Sequence, residues 1–140
     1  MYRALDLSKY IVSKCVDDGH PISNLQLQKI LYCIQKSFLK HGEPAFMDTT
    51  EAWQFGPVVP DVYYYYCGYG AMPIDSAHEK YAVEGKDKEE IDAIVEDKRE
   101  LDPWALVAET HIKNGAWDQV YKNGDGSRAE IPIKLIATAG

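Results

Sequence analysis

The sequence predicts a mainly α fold: a compact single-domain helical unit over residues 1–140, with a short extended segment or small β-hairpin around residues 51–55. Three observations lead there. Leu27, Ile30, Leu31, Ile34 and Phe38 recur at helical spacing, helix-start signatures stand at Ser23, Asp87 and Asp102, and only the run Glu51–Phe55 alternates polar with apolar residues. A chain of 140 residues that is 46% hydrophobic and 26% charged suits one packed domain without disulfide staples.

Each element has its own local reason. Leu5, Ile11, Val12, Cys15 and Val16 form a helical stripe that Gly19 stops ahead of His20-Pro21. Ser23 and Gln26 make a capping box for a second helix, which Lys40, His41 and Gly42 finish and which should be central to the core. Glu51–Phe55 reads as a strand that Gly56-Pro57 ends. Pro60 then fits a first helical turn, where its missing N–H is harmless, and a short helix runs through Tyr63–Tyr66 to Gly68. Residues 77–86 lack a strong period and read as loop. Asp87-x-x-Glu90 caps a helix carrying Ile91, Ile94 and Val95, and Asp102-Pro103 starts another through Trp104, Leu106, Val107 and Thr110 until Asn114-Gly115. A turn at Trp117–Tyr121, a Gly124-Asp125-Gly126 turn and a Pro132-started helix complete the chain.

Composition narrows the function. Fifteen basic against 22 acidic residues give a net charge of -7, which disfavours nucleic acid, since phosphate-backbone binding draws on Lys and Arg. Three scattered cysteines, Cys15, Cys33 and Cys67, suit plain thiols in the cytoplasm, and no apolar run is long enough for a membrane span or leader. The four histidines, His20, His41, His78 and His111, form no HExxH pair, so no metal site is expected. Gly68-x-Gly70 and Gly124-x-Gly126 sit outside any phosphate-binding pattern and read as turns. No catalytic residue or cofactor is expected. A thiol enzyme would need Cys33 or Cys67 exposed beside a histidine.

Aromatic residues are the better lead. Tyr63, Tyr64, Tyr65 and Tyr66 are consecutive, so on a helix they project about 100° apart and cannot all enter one core. Some must be exposed, and exposed Tyr is enriched in binding hot spots. Trp53 and Phe55 read as core residues bracing the corner built by Gly56, Pro57 and Pro60, while Tyr64 and Tyr65 read as contact surface. The two prolines restrict φ and preorganise Trp53, Phe55 and Tyr63 for a partner. Thr110 and His111, ending the Pro103 helix, are expected to cap or hydrogen-bond that corner.

The runs Ile22–Tyr32 and Glu51–Tyr63, about twenty residues apart, resemble the Panacea domain, the SocA-like antitoxin domain also found in phage-associated proteins of the GepA type. Thr110-His111, Trp117 and Ile131-Pro132 fit the later part of that family, so the resemblance spans nearly the whole chain. It implies a mostly helical antitoxin of type II toxin–antitoxin systems that neutralises a cognate protein toxin by direct binding, with no enzyme activity. Alternatives it implies are an adaptor delivering a toxin to a Clp-type protease, or a phage- or mobile-element-associated interaction protein. A homodimer is compatible with it. Cys33 after Tyr32, and Tyr64–Tyr66 after the Pro-x-x-Tyr segment, depart from the family's pattern.

The charge is not evenly spread. Residues 51–100 hold five basic and twelve acidic groups, so the whole imbalance sits in the middle of the chain. A solvated helix face explains it; beside exposed tyrosines it would also steer a basic toxin, with rates that fall as salt is added.

Overall fold

The computed structural model describes residues 1–77 and 79–140; His78, and with it part of the loop read over 77–86, lies outside them. Among the described residues the chain runs α1 (Ala4–Asp17), α2 (Asn24–Leu39), β1 (Glu51–Trp53), β2 (Gly56–Val58), α3 (Pro60–Tyr65), α4 (Gly85–Lys98), α5 (Pro103–Thr110), α6 (Ala116–Tyr121) and α7 (Ile133–Ala139). The mainly α class with a small hairpin is therefore what the chain adopts. No helix among the described residues is long and apolar enough to cross a membrane.

The helix ends obey local rules. After α1 the His20 N–H reaches Cys15 O at 2.8 Å and the Gly19 N–H reaches Val16 O at 3.0 Å, the paired bonds of a Schellman stop, with Gly19 at φ +69°. At α2 the capping box forms in both directions: the Gln26 N–H donates to Ser23 Oγ at 3.2 Å and the Ser23 N–H donates to Gln26 Oε1 at 2.9 Å. Asp102 caps α5 by accepting from the Trp104 and Ala105 amides.

α2 is the central element, packing against α1, α3, α4, α5, α7 and β2. Its Leu27, Ile30, Leu31 and Ile34 are fully buried and join α1's Leu7 and Ile11 and α4's Ile91 and Val95 in the main core. A second, smaller core gathers Tyr32, Ala52, Ala116, Trp117, Ile131 and Ile136 under α6 and α7.

Three elements differ from the sequence reading. α4 begins at Gly85 rather than at an Asp87 cap, because the Asp87 carboxylate is taken by the Tyr2 hydroxyl at 2.6 Å. The Trp117–Tyr121 turn is a full helix, α6, whose Trp117 is buried. Gly56-Pro57 does not end a strand but begins the second arm of an antiparallel hairpin, with Trp53 paired to Gly56 and Ala52 to Pro57 across a two-residue turn. β1 also bonds on its other edge to the returning chain, where the Arg128 N–H meets Ala52 O at 2.7 Å and the Ala52 N–H meets Ala129 O at 2.9 Å.

Candidate functional site: an aromatic corner clamped by helix α2

The hairpin and α3 form a corner whose backbone is held from beneath by a polar rail on α2. Asn24, Gln28 and Lys29 are buried side chains beside the helix's apolar stripe. Asn24 Nδ2 donates to Tyr63 O at 3.0 Å, Gln28 Oε1 accepts from the Val59 N–H at 2.9 Å, and Lys29 Nζ donates to Pro57 O at 2.9 Å. Gln28 Nε2 also donates to Asn24 Oδ1 at 3.0 Å, so the rail is internally linked. Buried backbone groups outside regular structure need such partners, and three side chains on one helix supply them. They were quoted in the sequence only within the family motif; polar residues flanking an otherwise apolar stripe were the signal.

Gly56 is required at the tightest point. Its φ is +113°, and a Cβ there would stand 2.6 Å from Thr110 Oγ1 and 3.0 Å from Lys29 Nζ. Thr110 meets the corner by this close approach, its hydroxyl donating to Val107 O at 2.8 Å and not to the corner. His111 makes no hydrogen bond to the corner either. It stacks on Trp117 with ring centroids 3.8 Å apart, and the Trp117 indole N–H donates to Trp53 O at 2.7 Å, so His111 braces the hairpin at one remove. Its Nε2 is buried and, among the described residues, lacks a partner.

Burial sets the electrostatics here. Lys29 has no exposed surface, and burial lowers its ammonium pKa to about 7. His111 is lowered too, first by burial and then by the positive charge of Lys29. Burial pushes the Cys33 thiol up, the opposite of an activated nucleophile, and Cys67 is exposed. Among the described residues no group of three His, Cys, Asp or Glu is placed to hold a metal.

The candidate aromatics separate in space. Trp53 is half-buried and meets Tyr63 at 4.9 Å and Tyr64 at 6.2 Å between ring centroids. Phe55, read as core, is 45% exposed because it occupies the hairpin turn; its ring instead meets Trp104, itself 61% exposed, at 5.3 Å. Trp104 was read only as part of a helix pattern. The tyrosine run divides as its helical spacing requires: Tyr66 is buried, Tyr63 half-buried, Tyr64 54% and Tyr65 48% exposed. Tyr64 joins the Trp53 group, whereas Tyr65 turns toward α1, where Lys9 Nζ lies 5.5 Å from its ring centroid. Arg128, absent from the sequence-based candidates, lies with its guanidinium carbon 4.2 Å from the Trp53 ring centroid and donates to the Tyr64 hydroxyl at 3.2 Å.

Trp53, Phe55, Tyr63 and Arg128 border a cleft of about 550 Å³ floored by Asn24, Gln28 and Lys29. The family model described as "Antitoxin SocA-like, Panacea domain" matches residues 27–118, which include most of α2, the hairpin, α3 and the Thr110–Trp117 brace. This chain belongs to the SocA-like Panacea family. Antitoxin SocA of Caulobacter vibrioides (strain NA1000 / CB15N) is 34% identical to it, in a match covering 82% of this chain and 68% of that protein. No solved structure matches the chain. The clamped corner of this Panacea chain thus lies almost wholly inside the matched segment, while Arg128 lies beyond it.

Proposed function

We propose that this Panacea-family chain is the antitoxin of a type II toxin–antitoxin pair, and that it neutralises its cognate toxin by direct binding at the aromatic corner. The observation that carries the reading is the cleft. Trp53, Phe55 and Tyr63 border it, with exposed Tyr64 packed against Trp53 and exposed Trp104 against Phe55, on a backbone already pinned by Asn24, Gln28 and Lys29. Rigid aromatic anchors lose little freedom on docking, so more of their contact area is kept as affinity. Family membership and the likeness to a protein named Antitoxin SocA support a toxin as the kind of partner.

The test is co-expression with the product of the adjacent gene. Growth should be rescued and the two proteins should co-purify, and the Trp53→Ala/Tyr64→Ala double variant should lose both while remaining folded. A wild-type chain that neither rescues growth nor forms a complex overturns the reading. Full rescue by the double variant would move the docking face elsewhere.

A further inference from the structure

We propose that the cleft receives a toxin segment whose tip is a carboxylate, an Asp or Glu side chain flanked by apolar residues, and that Arg128 is the residue that grips it. This rests on the reading of the corner as the docking face and gives that face a chemical preference. A chain with 22 acidic and 15 basic residues has more carboxylates than cations to distribute, yet among the described residues the cleft is lined by Arg128 and Lys29 and by no carboxylate. The nearest acidic group tied to these aromatics, Glu51, accepts the Trp53 indole N–H at 2.9 Å and is not part of the wall.

Arg128 is presented for this use. Its guanidinium lies against the Trp53 ring, and one of its five N–H groups is spent on the Tyr64 hydroxyl. Among the described residues it makes no ion pair, whereas Lys9, Lys14, Lys88, Lys98 and Arg99 each do. Stacking uses the face of a guanidinium and leaves its edge, the part shaped for a bidentate carboxylate, open to solvent. The backbone at Arg128 is held at φ +67°, a conformation non-glycine residues rarely adopt, while its amide is bonded to Ala52 O. That bond fixes where the side chain leaves the chain.

The floor reinforces the wall. Lys29 is sealed under the hairpin with one hydrogen bond, to Pro57 O, and burial disfavours its charged form. A carboxylate arriving above it offsets that penalty, whereas a partner's ammonium or guanidinium would face Arg128 and raise the cost of charging Lys29 further. The apolar neighbours of the carboxylate would rest on Val58, Tyr63 and Phe55. The middle of the sequence, with its excess of acid, suggested a basic partner, but four of its twelve carboxylates are engaged within the fold: Asp87, Glu90, Asp92 and Glu96 of α4 bond to Tyr2, Ser37, Tyr10 and Lys14.

The deciding measurement has two arms. In the first, the labelled protein is titrated with the capped tripeptides acetyl-Leu-Asp-Leu-amide and acetyl-Leu-Lys-Leu-amide. The Asp peptide should shift the Trp53 indole and Arg128 side-chain N–H resonances saturably, and Arg128→Gln should abolish the effect; equal or stronger shifts with the Lys peptide overturn the proposal. In the second, affinity for the adjacent gene's toxin is compared across variants. Arg128→Glu should raise Kd at least about thirtyfold, the loss expected of a partly desolvated charge pair, with an unchanged unfolding curve. One Asp or Glu to Lys change in the toxin should restore binding to that variant. If Arg128→Glu binds as wild type while Trp53→Ala/Tyr64→Ala does not, the carboxylate preference is wrong and the docking face stands. If all these variants bind as wild type, the docking face itself is wrong.

Discussion

The face of α4 that clasps α1 and α2 through hydrogen bonds and ion pairs, and the aromatic corner, are both partly exposed and both rich in side chains that could meet a partner, yet they are finished in opposite ways. On the clasp most polar groups are matched within the fold, Tyr10 to Asp92, Ser37 to Glu90, Lys14 to Glu96 and Arg99 Nη1 to Asp18, while Arg99 Nε is buried without a partner among the described residues. At the corner the matching runs underneath, through Asn24, Gln28 and Lys29 to backbone, while the outer surface is left as aromatic rings and a guanidinium that makes no ion pair among the described residues. Local charge density is therefore a poor guide to a binding face. What distinguishes the corner is a rigid support with unfinished chemistry above it.

The comparison can be broken most severely at the support. Gly56→Ala forces a Cβ against Thr110 and Lys29 at a positive φ, and combined overpacking and backbone strain should cost about 3 to 4 kcal/mol in chemical denaturation, with toxin binding lost as well. If that variant unfolds like wild type, the hairpin is not clamped as described.

Next comes the titration of the support. The folded pKa of Lys29 is lowered to about 7 from the usual 10.5, so between those values the unfolded chain binds one more proton and stability rises with pH. The gain should approach about 3 kcal/mol from pH 7 to 9.5, and Lys29→Met should flatten that slope. His111, also lowered, adds stability that is lost as pH falls below its unfolded value near 6.5, the same direction of dependence. Equal slopes in wild type and Lys29→Met would show that Lys29 is not sealed.

Smaller effects separate the two surfaces. Tyr64→Ala and Trp104→Ala should each weaken toxin binding by about 1 to 2 kcal/mol while leaving thermal unfolding nearly unchanged, which calorimetry of the complex and of the free protein would record. Tyr65→Ala should cost less, because that ring lies beside Lys9 and not against the Trp53 group. Last, Lys14→Met with Glu96→Gln on the clasp should lower stability by no more than about 1 kcal/mol and leave toxin affinity untouched. A clasp variant that weakens binding as much as Tyr64→Ala would erase the distinction.

Much of the fold was legible from short-range chemistry. The Ser23–Gln26 box, the Gly19 stop and the Pro60 and Pro103 helix starts each involve groups a few residues apart, and each formed where the sequence placed it. Asp87 failed as a cap because a hydroxyl 85 residues away competes for its carboxylate, and no local pattern contains that competitor. Phe55 was misplaced for a related reason: strand alternation points it inward, but the chain turns at Gln54-Phe55 and carries the ring to Trp104.

The sequence by itself determined the helical class, most of the helix ends and the fact that four consecutive tyrosines must divide between core and surface, because these follow from spacing along one chain; its two long motifs carried the resemblance to the family. Only the tertiary structure decided that Tyr63 borders the cleft, that Lys29 lies beneath Pro57, that Thr110 forbids a side chain at Gly56, and that Arg128 rests on Trp53. The last three relations join residues 28 to 75 positions apart. They depend on packing that brings distant backbone groups within a hydrogen bond's reach, which periodicity along the chain does not encode.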